Sequence, residues 1–212
     1  MKVFGLTGGI GMGKSAAAEI LRRRGLPIVD SDVIARQIVE PGQPALAELK
    51  QAFGHDIVAS DGRLRRDELA RRVFANEAAR HQLEAILHPA IRAIWLAQVE
   101  RWRMEKIPIG VVVIPLLFET NATAHFDQTI CVACSARTQI ERLRARGWDD
   151  EQIQQRIHAQ WPIEKKMLLA DFAVWTEAEL DVHAAQLARI IPTVEKQSGN
   201  SNLALPHRTS EV

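Results

Sequence analysis

The sequence predicts an α/β fold built around a parallel β-sheet. An apolar segment, residues 2–7, leads through a glycine-rich turn into helix-forming residues 15–24, and a second apolar segment, residues 26–30, follows directly. Two strands separated by a helix pair in parallel through a right-handed crossover. Residues 109–114 are apolar and rich in β-branched side chains, which is typical of a strand covered by helices on both faces.

The composition is that of one globular chain with a substantial core. Its 212 residues are 47% hydrophobic and 25% charged, which excludes a disulfide-stapled miniprotein and a disordered chain. The 27 basic and 26 acidic residues leave a formal net charge of +1, so we expect no nucleic-acid partner and no membrane partner. The longest apolar stretch, 107–118, is shorter than the ~20 residues that span a bilayer. We therefore expect a soluble, cytoplasmic protein, either a monomer or a small homo-oligomer.

The only two cysteines, Cys131 and Cys134, lie in an apolar segment that reads as a strand. A structural zinc would need two further ligands at a matching spacing, and no second CxxC or HxxxH supplies them. A thioredoxin-like redox pair normally opens a helix. We therefore expect two reduced, partly buried thiols.

A long helical segment separates the second strand from the third. Ile91, Ile94, Trp95, Val99 and Trp102 recur at spacings of three and four residues, which predicts the core-facing side of a helix. A subunit contact through the two tryptophans is the alternative. Turn signals punctuate this segment, which therefore reads as an insertion into the sheet domain.

The rest of the chain supplies the remaining strands. They are expected at 128–133 and 171–175, and a closing helix is expected at 178–191. The segment between the last two strands is rich in arginine. We predict a single domain over 1–195, with a core (1–31, 107–136 and 169–195), a helical lobe (32–106) and a lid (137–168), followed by a flexible tail (196–212).

A phosphate-binding motif lies between the first strand and the first helix. Residues 8–15 read GGIGMGKS and match GxxxxGK[ST] in full. Glycines allow the backbone to turn successive N–H groups inward, at the positive end of the helix dipole. Lys14 supplies a charge for the β- and γ-phosphates of ATP, and the Ser15 hydroxyl is a ligand for Mg²⁺. The motif predicts the P-loop kinase fold, with five parallel strands flanked by helices.

A dinucleotide-binding oxidoreductase is a minor alternative. Gly11, Gly13 and Ala16 also satisfy GxGxxA, and Asp30 and Asp32 follow at a distance suited to a ribose contact. However, that fingerprint begins where the strand ends, whereas residues 8–10 intervene here. The Lys-Ser pair is also unnecessary for binding a pyrophosphate.

The phosphoryl chemistry predicted is that of a small-molecule kinase. Neither an NKxD nor a DxxG string occurs, which excludes most signalling GTPases. The helical insertion lies where such kinases bind the acceptor, and the arginine-rich segment lies where they have a lid. Arg142 and Arg146 are four residues apart, so one helix would present both to the same polyphosphate. A solvated basic face is the alternative.

Two aspartates follow the second strand, at the sheet edge where α/β proteins bind ligands. Because Asp30 and Asp32 are two apart in what reads as extended chain, we expect them to point to the same side. One of them accepts a hydroxyl proton from the acceptor or binds Mg²⁺ through water. The alternative for Asp32 is a cap on a helix beginning at Val33, a role for which Ser31 competes.

Five motifs together resemble the dephospho-coenzyme A kinase family. They are GLTGGIGMGKS (5–15), VDSDVIAR (29–36), LHP (87–89), PLLFE (115–119) and AD (170–171). The resemblance runs in order from about residue 2 to residue 191. It implies phosphorylation of the ribose 3′-hydroxyl of dephospho-coenzyme A by ATP, the last step of coenzyme A synthesis. Another P-loop kinase, for a nucleoside or nucleoside monophosphate, and a non-catalytic ATP-binding protein stay open as alternatives.

The resemblance also implies roles for individual residues. Asp32 becomes the base at the 3′-hydroxyl, with Lys14 and Arg142 as further catalytic residues and Ser15 as the Mg²⁺ ligand. ATP would contact Gly8, Gly9, Gly11, Met12, Gly13, Lys14, Ser15, Ala16, Arg142 and Arg146. Dephospho-coenzyme A would contact Asp32, His88, Leu116, Leu117 and Glu119. Arg156, Gln160 and Lys165 match a lid pattern. For His88, a structural role at a helix junction is the alternative, because His-Pro is also a helix-start signal.

This chain departs from the family pattern at three places. Many members have an acidic residue where this chain has Val113, so no carboxylate from that strand is available for Mg²⁺. Thr176 replaces a frequent asparagine near the adenine end of the nucleotide. Gly147 and Trp148 replace more polar lid residues.

Overall fold

A computed structural model describes residues 1–74 and 76–192. Its five strands are β1 (Lys2–Gly8), β2 (Ile28–Asp30), β3 (Ile109–Val113), β4 (Gln128–Ala133) and β5 (Phe172–Trp175). They form one sheet in the order β2-β3-β1-β4-β5. Every neighbouring pair is parallel, so the predicted fold class is confirmed. β1 lies at the centre, which places the glycine-rich turn at its carboxyl end in the middle of one sheet edge.

Helices cover both faces of this sheet. The described helices are α1 (Lys14–Arg23), α2 (Ser31–Gln37), α3 (Pro44–Phe53), α4 (Arg66–Phe74), α5 (Glu77–Met104), α6 (Ala136–Arg144), α7 (Asp150–His158), α8 (Ile163–Leu169) and α9 (Leu180–Ile190). Short 3₁₀ turns occur at His55–Ile57 and Thr123–His125. None of the helices in 1–74 and 76–192 is long and apolar enough to cross a membrane.

The core consists of two apolar layers, one on each face of the sheet. Side chains alternate between faces along a strand, so Phe4 packs with α1 and α9 on one side, while Val3 faces the helical insertion on the other. In β3, Val111 and Val113 belong to the first layer and Val112 to the second. The second layer continues into the helices of 32–106 without interruption.

The helical insertion is organised around α5. Trp95 and Trp102 are 2% and 4% exposed, and Trp102 packs against Gly110 of β3, so both tryptophans belong to the core. Ile94 is 43% exposed, and its assignment to the core-facing side was wrong. His88-Pro89 does not mark a helix junction either, because α5 continues through Pro89. Packing of the long helix against α2, α3 and α4 compensates for the backbone hydrogen bond that proline removes.

The arginine-rich segment forms α6, α7 and α8. α6 packs directly against the glycine-rich turn, and α8 packs against β1 and β4. Cys131 lies in β4 and Cys134 just after it, both as free thiols that are fully rather than partly buried. The division into core, lobe and lid stays a prediction. The expected tail, 196–212, lies outside the described residues.

Candidate active site

The phosphate-binding loop, residues 8–15, lies at the carboxyl end of β1. Gly11 and Gly13 adopt left-handed φ angles of 75° and 92°, which is the conformation that the motif required of glycine. Gly13 also caps the N-terminus of α1. The Lys14 ammonium donates hydrogen bonds to the carbonyls of Gly8 (2.8 Å) and Gly9 (2.9 Å). Lys14 is therefore folded back over the loop that it is expected to serve.

Burial in this position lowers the pKa of Lys14 to about 8. Asp32 opposes the shift by stabilising the charged form, whereas the buried Lys166 adds to it. The Lys14 ammonium therefore begins to lose its proton at mildly alkaline pH.

The two aspartates after β2 have different roles. Asp30 is the N-cap of α2, and its carboxylate accepts a hydrogen bond from the Asp32 backbone N–H at 2.8 Å. The helix begins at Ser31, so the expectation of extended chain here was wrong, and so was the alternative in which Asp32 or Ser31 caps a helix beginning at Val33. Capping occupies one Asp30 oxygen, and the Asp32 carboxylate stands in the first turn of α2, inside a cleft.

The environment of Asp32 raises the pKa of its carboxyl group. Desolvation by the walls of the cleft is the largest cause, and the like charge of Asp30 adds to it. Lys14 and Arg36 act in the opposite direction. A carboxylate with a raised pKa is a better proton acceptor than an ordinary exposed aspartate.

Asp32 lies at the boundary between two cavities. The phosphate-side cavity, about 320 Å³, is lined by Ile10, Lys14, Asp32, Arg80, Glu84, Pro115, Leu116, Arg156, Ala159 and Gln160. The acceptor-side cavity, about 250 Å³, is lined by Ser31, Asp32, Ala35, Leu83, Glu84, Leu87, His88, Ile91, Arg92, Trp95, Ile114, Pro115, Leu116, Thr120 and Ala122. Glu84, Pro115 and Leu116 line both. A group bound in one cavity therefore meets a group bound in the other beside a carboxylate.

The two cavities differ in chemistry. The phosphate-side cavity contains three cationic side chains, Lys14, Arg80 and Arg156. The acceptor-side cavity is mostly apolar, with His88 and Arg92 as its basic groups. Burial lowers the pKa of His88, Glu84 opposes this shift and Arg92 adds to it, so the net effect favours the neutral imidazole. One cavity therefore suits a polyphosphate, and the other suits a flat or aliphatic group with polar edges.

The arginines of the predicted lid lie in different places. Arg142 on α6 donates to the hydroxyl of Thr176 at 2.9 Å and to its carbonyl, next to the phosphate-binding loop. Arg146 lies beyond the end of α6, which the sequence had predicted to continue, and its exposed side chain makes no hydrogen bond or ion pair with another described residue. The structure therefore does not bring Arg142 and Arg146 to one helix face.

Two later lid residues do reach the loop. Gln160 accepts a hydrogen bond from the Ile10 backbone N–H at 3.0 Å. Arg156 stacks on Trp148, with its guanidinium carbon 4.3 Å from the ring centroid, and lines the phosphate-side cavity. Lys165 instead lies over the Trp161 ring, at 3.3 Å from its centroid.

The PLLFE segment contributes two lining residues, Pro115 and Leu116, and two supporting ones. Leu116 lines both cavities, but Leu117 is fully buried in the core and lines neither. Glu119 accepts hydrogen bonds from the Trp161 backbone N–H at 3.0 Å and pairs with the fully buried Lys166 at 2.7 Å. The same ammonium donates to the Pro115 carbonyl at 2.9 Å. Leu117 and Glu119 therefore hold the wall in place and do not contact either cavity, contrary to the expected substrate contacts.

Comparison with known proteins decides the family. The family model described as dephospho-CoA kinase matches residues 2–181. The dephospho-CoA kinase of Bdellovibrio bacteriovorus is 38% identical over 92% of this chain and 98% of its own length. That of Anaeromyxobacter dehalogenans is 41% identical over 90% and 91%. The chain belongs to the dephospho-CoA kinase family.

Solved structures agree with this family assignment. A Thermus thermophilus protein of known crystal structure superposes with a TM-score of 0.78 at 32% identity, covering 89% of this chain and 95% of that one. The dephospho-CoA kinase of Campylobacter jejuni superposes with a TM-score of 0.66 at 26% identity, covering 89% and 94%. The resemblance predicted from the sequence motifs is therefore confirmed, and the fold is that of a P-loop kinase.

Sequence reasoning missed one face of α5. In this member of the dephospho-CoA kinase family, Arg80, Glu84, His88 and Arg92 follow one another at four-residue spacing and all line a cavity. Only His88 had been singled out. The four-residue spacing of these polar residues is visible in the sequence and places them on one face of a helix. It was missed because the apolar residues between them predict the core-facing side of the same helix.

Proposed function

We propose that this chain transfers the γ-phosphate of ATP to the ribose 3′-hydroxyl of dephospho-coenzyme A, giving coenzyme A and ADP. The observation that carries the proposal is the position of Asp32, where a cavity next to the phosphate-binding loop meets a mostly apolar one. Membership of the dephospho-CoA kinase family supports the choice of acceptor. The cytoplasmic location and the oligomeric state, monomer or small homo-oligomer, stay predictions from the sequence.

The donor phosphates bind at the phosphate-binding loop. Its backbone N–H groups and the positive end of α1 attract the phosphate oxygens. Lys14 leaves the carbonyls of Gly8 and Gly9, which it contacts in this structure, and reaches the β- and γ-phosphates. Arg156 adds a second positive charge on the lid side of the same cavity. Together these groups neutralise the charge that develops during phosphoryl transfer.

The residues at the loop suit a magnesium ion bound together with ATP. The Ser15 side chain is exposed in the first turn of α1 and makes no hydrogen bond with another described residue, so its hydroxyl is available. Val113 supplies no carboxylate, and within 1–74 and 76–192 no three His, Cys, Asp or Glu side chains cluster as metal ligands. Ser15 would therefore hold the ion, with Asp30 or Asp32 acting through water. A magnesium ion bound there would supply positive charge that offsets the negative charge of the polyphosphate.

The acceptor binds on the other side of Asp32. Its adenosine end occupies the acceptor-side cavity, with the 3′-hydroxyl directed at the Asp32 carboxylate. Because the transition state of phosphoryl transfer is loose, Asp32 mainly orients the hydroxyl and accepts its proton as transfer proceeds. His88 and Arg92 offer hydrogen bonds to polar edges of the same group. Arg80 faces the phosphate-side cavity from α5, the acceptor-binding helix that also supplies His88 and Arg92, and it is suited to the diphosphate of the acceptor.

Contacts between the lid and the loop keep water from the reacting phosphate. The hydrogen bond between Gln160 and the Ile10 N–H already closes one side of the phosphate-side cavity. Exclusion of water favours transfer to the ribose hydroxyl over hydrolysis. Arg146, Leu117 and Glu119 have no direct contact with substrate in this proposal.

The test is ADP production from ATP with four acceptors supplied in turn: dephospho-coenzyme A, adenosine, AMP and shikimate. We expect dephospho-coenzyme A to give the highest kcat/KM, since it alone combines an adenosine with a diphosphate. Higher kcat/KM with adenosine or AMP would assign the chain to nucleoside or nucleoside-monophosphate phosphorylation. Binding of ATP without turnover of any of the four acceptors would contradict the proposed enzyme.

A further inference from the structure

Thr176 lies where the last strand, the phosphate-binding loop and α6 meet. It follows directly after β5, is 4% exposed, and its backbone N–H donates to the Ala133 carbonyl at 2.9 Å. A Cβ atom added to Gly13 of the loop would lie 3.0 Å from the Thr176 hydroxyl oxygen. The hydroxyl is therefore packed against the loop, inside the protein.

The Thr176 hydroxyl makes two hydrogen bonds of opposite direction. It donates to the Met12 carbonyl at 3.1 Å and accepts from the Arg142 guanidinium at 2.9 Å. A carbonyl only accepts and a guanidinium only donates, so the group between them must do both. A hydroxyl meets this requirement, and an apolar side chain of the same shape does not.

The bond to Met12 fixes the orientation of one peptide of the loop. In a trans peptide the carbonyl of one residue and the N–H of the next point in opposite directions. Holding the Met12 carbonyl towards Thr176 therefore turns the Gly13 N–H away from Thr176. This N–H makes no hydrogen bond with another described residue. It is one of the donors that a loop of this type offers to phosphate.

The bond to Arg142 restricts the orientation of the Arg142 guanidinium. The guanidinium donates to both the hydroxyl and the carbonyl of Thr176, which fixes its plane beside the loop. An arginine side chain otherwise loses considerable rotamer freedom when it binds a ligand. Thr176 removes part of that cost before the nucleotide arrives.

We propose that Thr176 is a positioning residue of the nucleotide site, whose single hydroxyl orients both the Gly13 N–H and the Arg142 guanidinium towards the phosphates of ATP. The proposal rests on the proposed function for its reaction, but the nucleotide contact itself is testable by binding alone.

The experiment compares Thr176→Val with Thr176→Ser. Valine keeps the shape and loses the hydroxyl, whereas serine keeps the hydroxyl. The matched control is Thr129→Val in β4, because Thr129 is also 4% exposed and its hydroxyl also makes two hydrogen bonds, donating to Asp171 at 2.8 Å and accepting from the Asp171 N–H at 3.1 Å. Measurements are the Kd for ADP by calorimetry, the KM for ATP and for dephospho-coenzyme A, and the melting temperature.

We expect Thr176→Val to raise the Kd for ADP and the KM for ATP about tenfold, which is the usual scale for losing an oriented hydrogen-bond network. The KM for dephospho-coenzyme A should stay close to the wild-type value, because Thr176 does not contact the acceptor-side cavity. Thr176→Ser should restore nucleotide binding. Thr129→Val should lower the melting temperature and leave the Kd for ADP unchanged.

Two results would overturn the proposal. One is equal Kd values for ADP in the valine and serine variants, and the other is an equal rise in the KM of both substrates. Arg142→Ala supplies a further check, since Thr176→Val should weaken ADP binding less in that background than in the wild type. Equal weakening in both backgrounds would contradict the coupling to Arg142. If the wild type did not turn over dephospho-coenzyme A, the proposed function would fail, while the ADP measurements would still test Thr176.

Discussion

The phosphate-side and acceptor-side cavities solve two different binding problems with different parts of the chain. On the phosphate side, one continuous segment, residues 8–15, supplies backbone donors and Lys14. On the acceptor side, side chains from α2, α5 and the segment after β3 converge on a mostly apolar space. Backbone recognition of phosphate depends on local conformation, whereas recognition of a nucleoside depends on which distant side chains the fold brings together.

Because one short segment binds the phosphates, we expect the largest loss of activity when the positive charge of that loop, Lys14, is removed. Lys14→Ala should reduce kcat/KM for ATP by about 10³-fold, because no other side chain provides a cation within the loop. The melting temperature should change little, because the cost of burying the Lys14 ammonium offsets the two hydrogen bonds that it donates to the loop. Steady-state kinetics and thermal unfolding measure the two quantities. A reduction in kcat/KM of less than about tenfold, which is the scale of one lost hydrogen bond, would mean that Arg80 or Arg156 replaces Lys14.

A smaller effect is expected for Arg80 on α5, whose substitution should change the KM for one substrate and not for the other. Arg80→Gln should raise the KM for dephospho-coenzyme A about tenfold and leave the KM for ATP unchanged, because Arg80 belongs to the acceptor-binding helix although it faces the phosphate side. Its ion pairs with Glu77 (3.5 Å) and Glu84 (3.8 Å) are long, so their loss should matter little for folding. Initial rates at varied concentrations of each substrate provide the check.

Arg101→Gln is the matched control for this prediction. Arg101 is an exposed arginine near the other end of α5, outside both cavities. Its substitution should leave both KM values unchanged. If Arg80→Gln raised the KM for ATP and not that for dephospho-coenzyme A, Arg80 would be a donor contact, and the division of labour between the cavities would be wrong.

The smallest predicted effect is a pH dependence confined to the phosphate side. Lys14 has a pKa of about 8 in the free protein. Phosphate stabilises the charged form, so nucleotide binding raises this pKa and must take up a proton once the pH exceeds it. Affinity for ADP should therefore be constant below the pKa and should fall as the pH rises from 8 to 9, by at most about tenfold.

Calorimetry in two buffers of different ionisation enthalpy measures both the affinity and the proton uptake. We expect proton uptake at pH 9 and a KM for dephospho-coenzyme A that does not follow the same curve. A constant Kd for ADP from pH 7 to 9 would contradict the lowered pKa of Lys14.

The two cavities also differ in how far the sequence predicts them. The phosphate-binding loop follows from residues 8–15 alone, because its conformation is set by Gly11 and Gly13 and by the strand and helix on either side. The contribution of Arg80 did not follow, because it depends on α5 being one continuous helix that reaches from one cavity to the other. His88-Pro89 pointed to a break in that helix, and tertiary packing overrode the local signal.

Similar reasons explain the other errors near the site. Asp30, Ser31 and Asp32 are all good capping residues, so only the observed helix start decides which of them caps. Leu117 and Glu119 belong to a motif beside the active site, but their side chains turn towards the core and towards Lys166. A sequence motif therefore does not distinguish residues that line a cavity from residues that support the segment lining it.

Asp32 is the residue on which the proposed phosphoryl transfer depends most, because it orients the acceptor hydroxyl between the two cavities. Asp32→Asn preserves the size of the side chain and removes its capacity to accept a proton. The decisive measurement is the steady-state rate of ADP formation by this variant with ATP and dephospho-coenzyme A. We predict that kcat falls about 10³-fold while the KM for ATP stays close to the wild-type value, since a positioned base contributes about that much. A kcat within a few fold of the wild type would contradict the role of Asp32 as the group that orients the acceptor hydroxyl and accepts its proton.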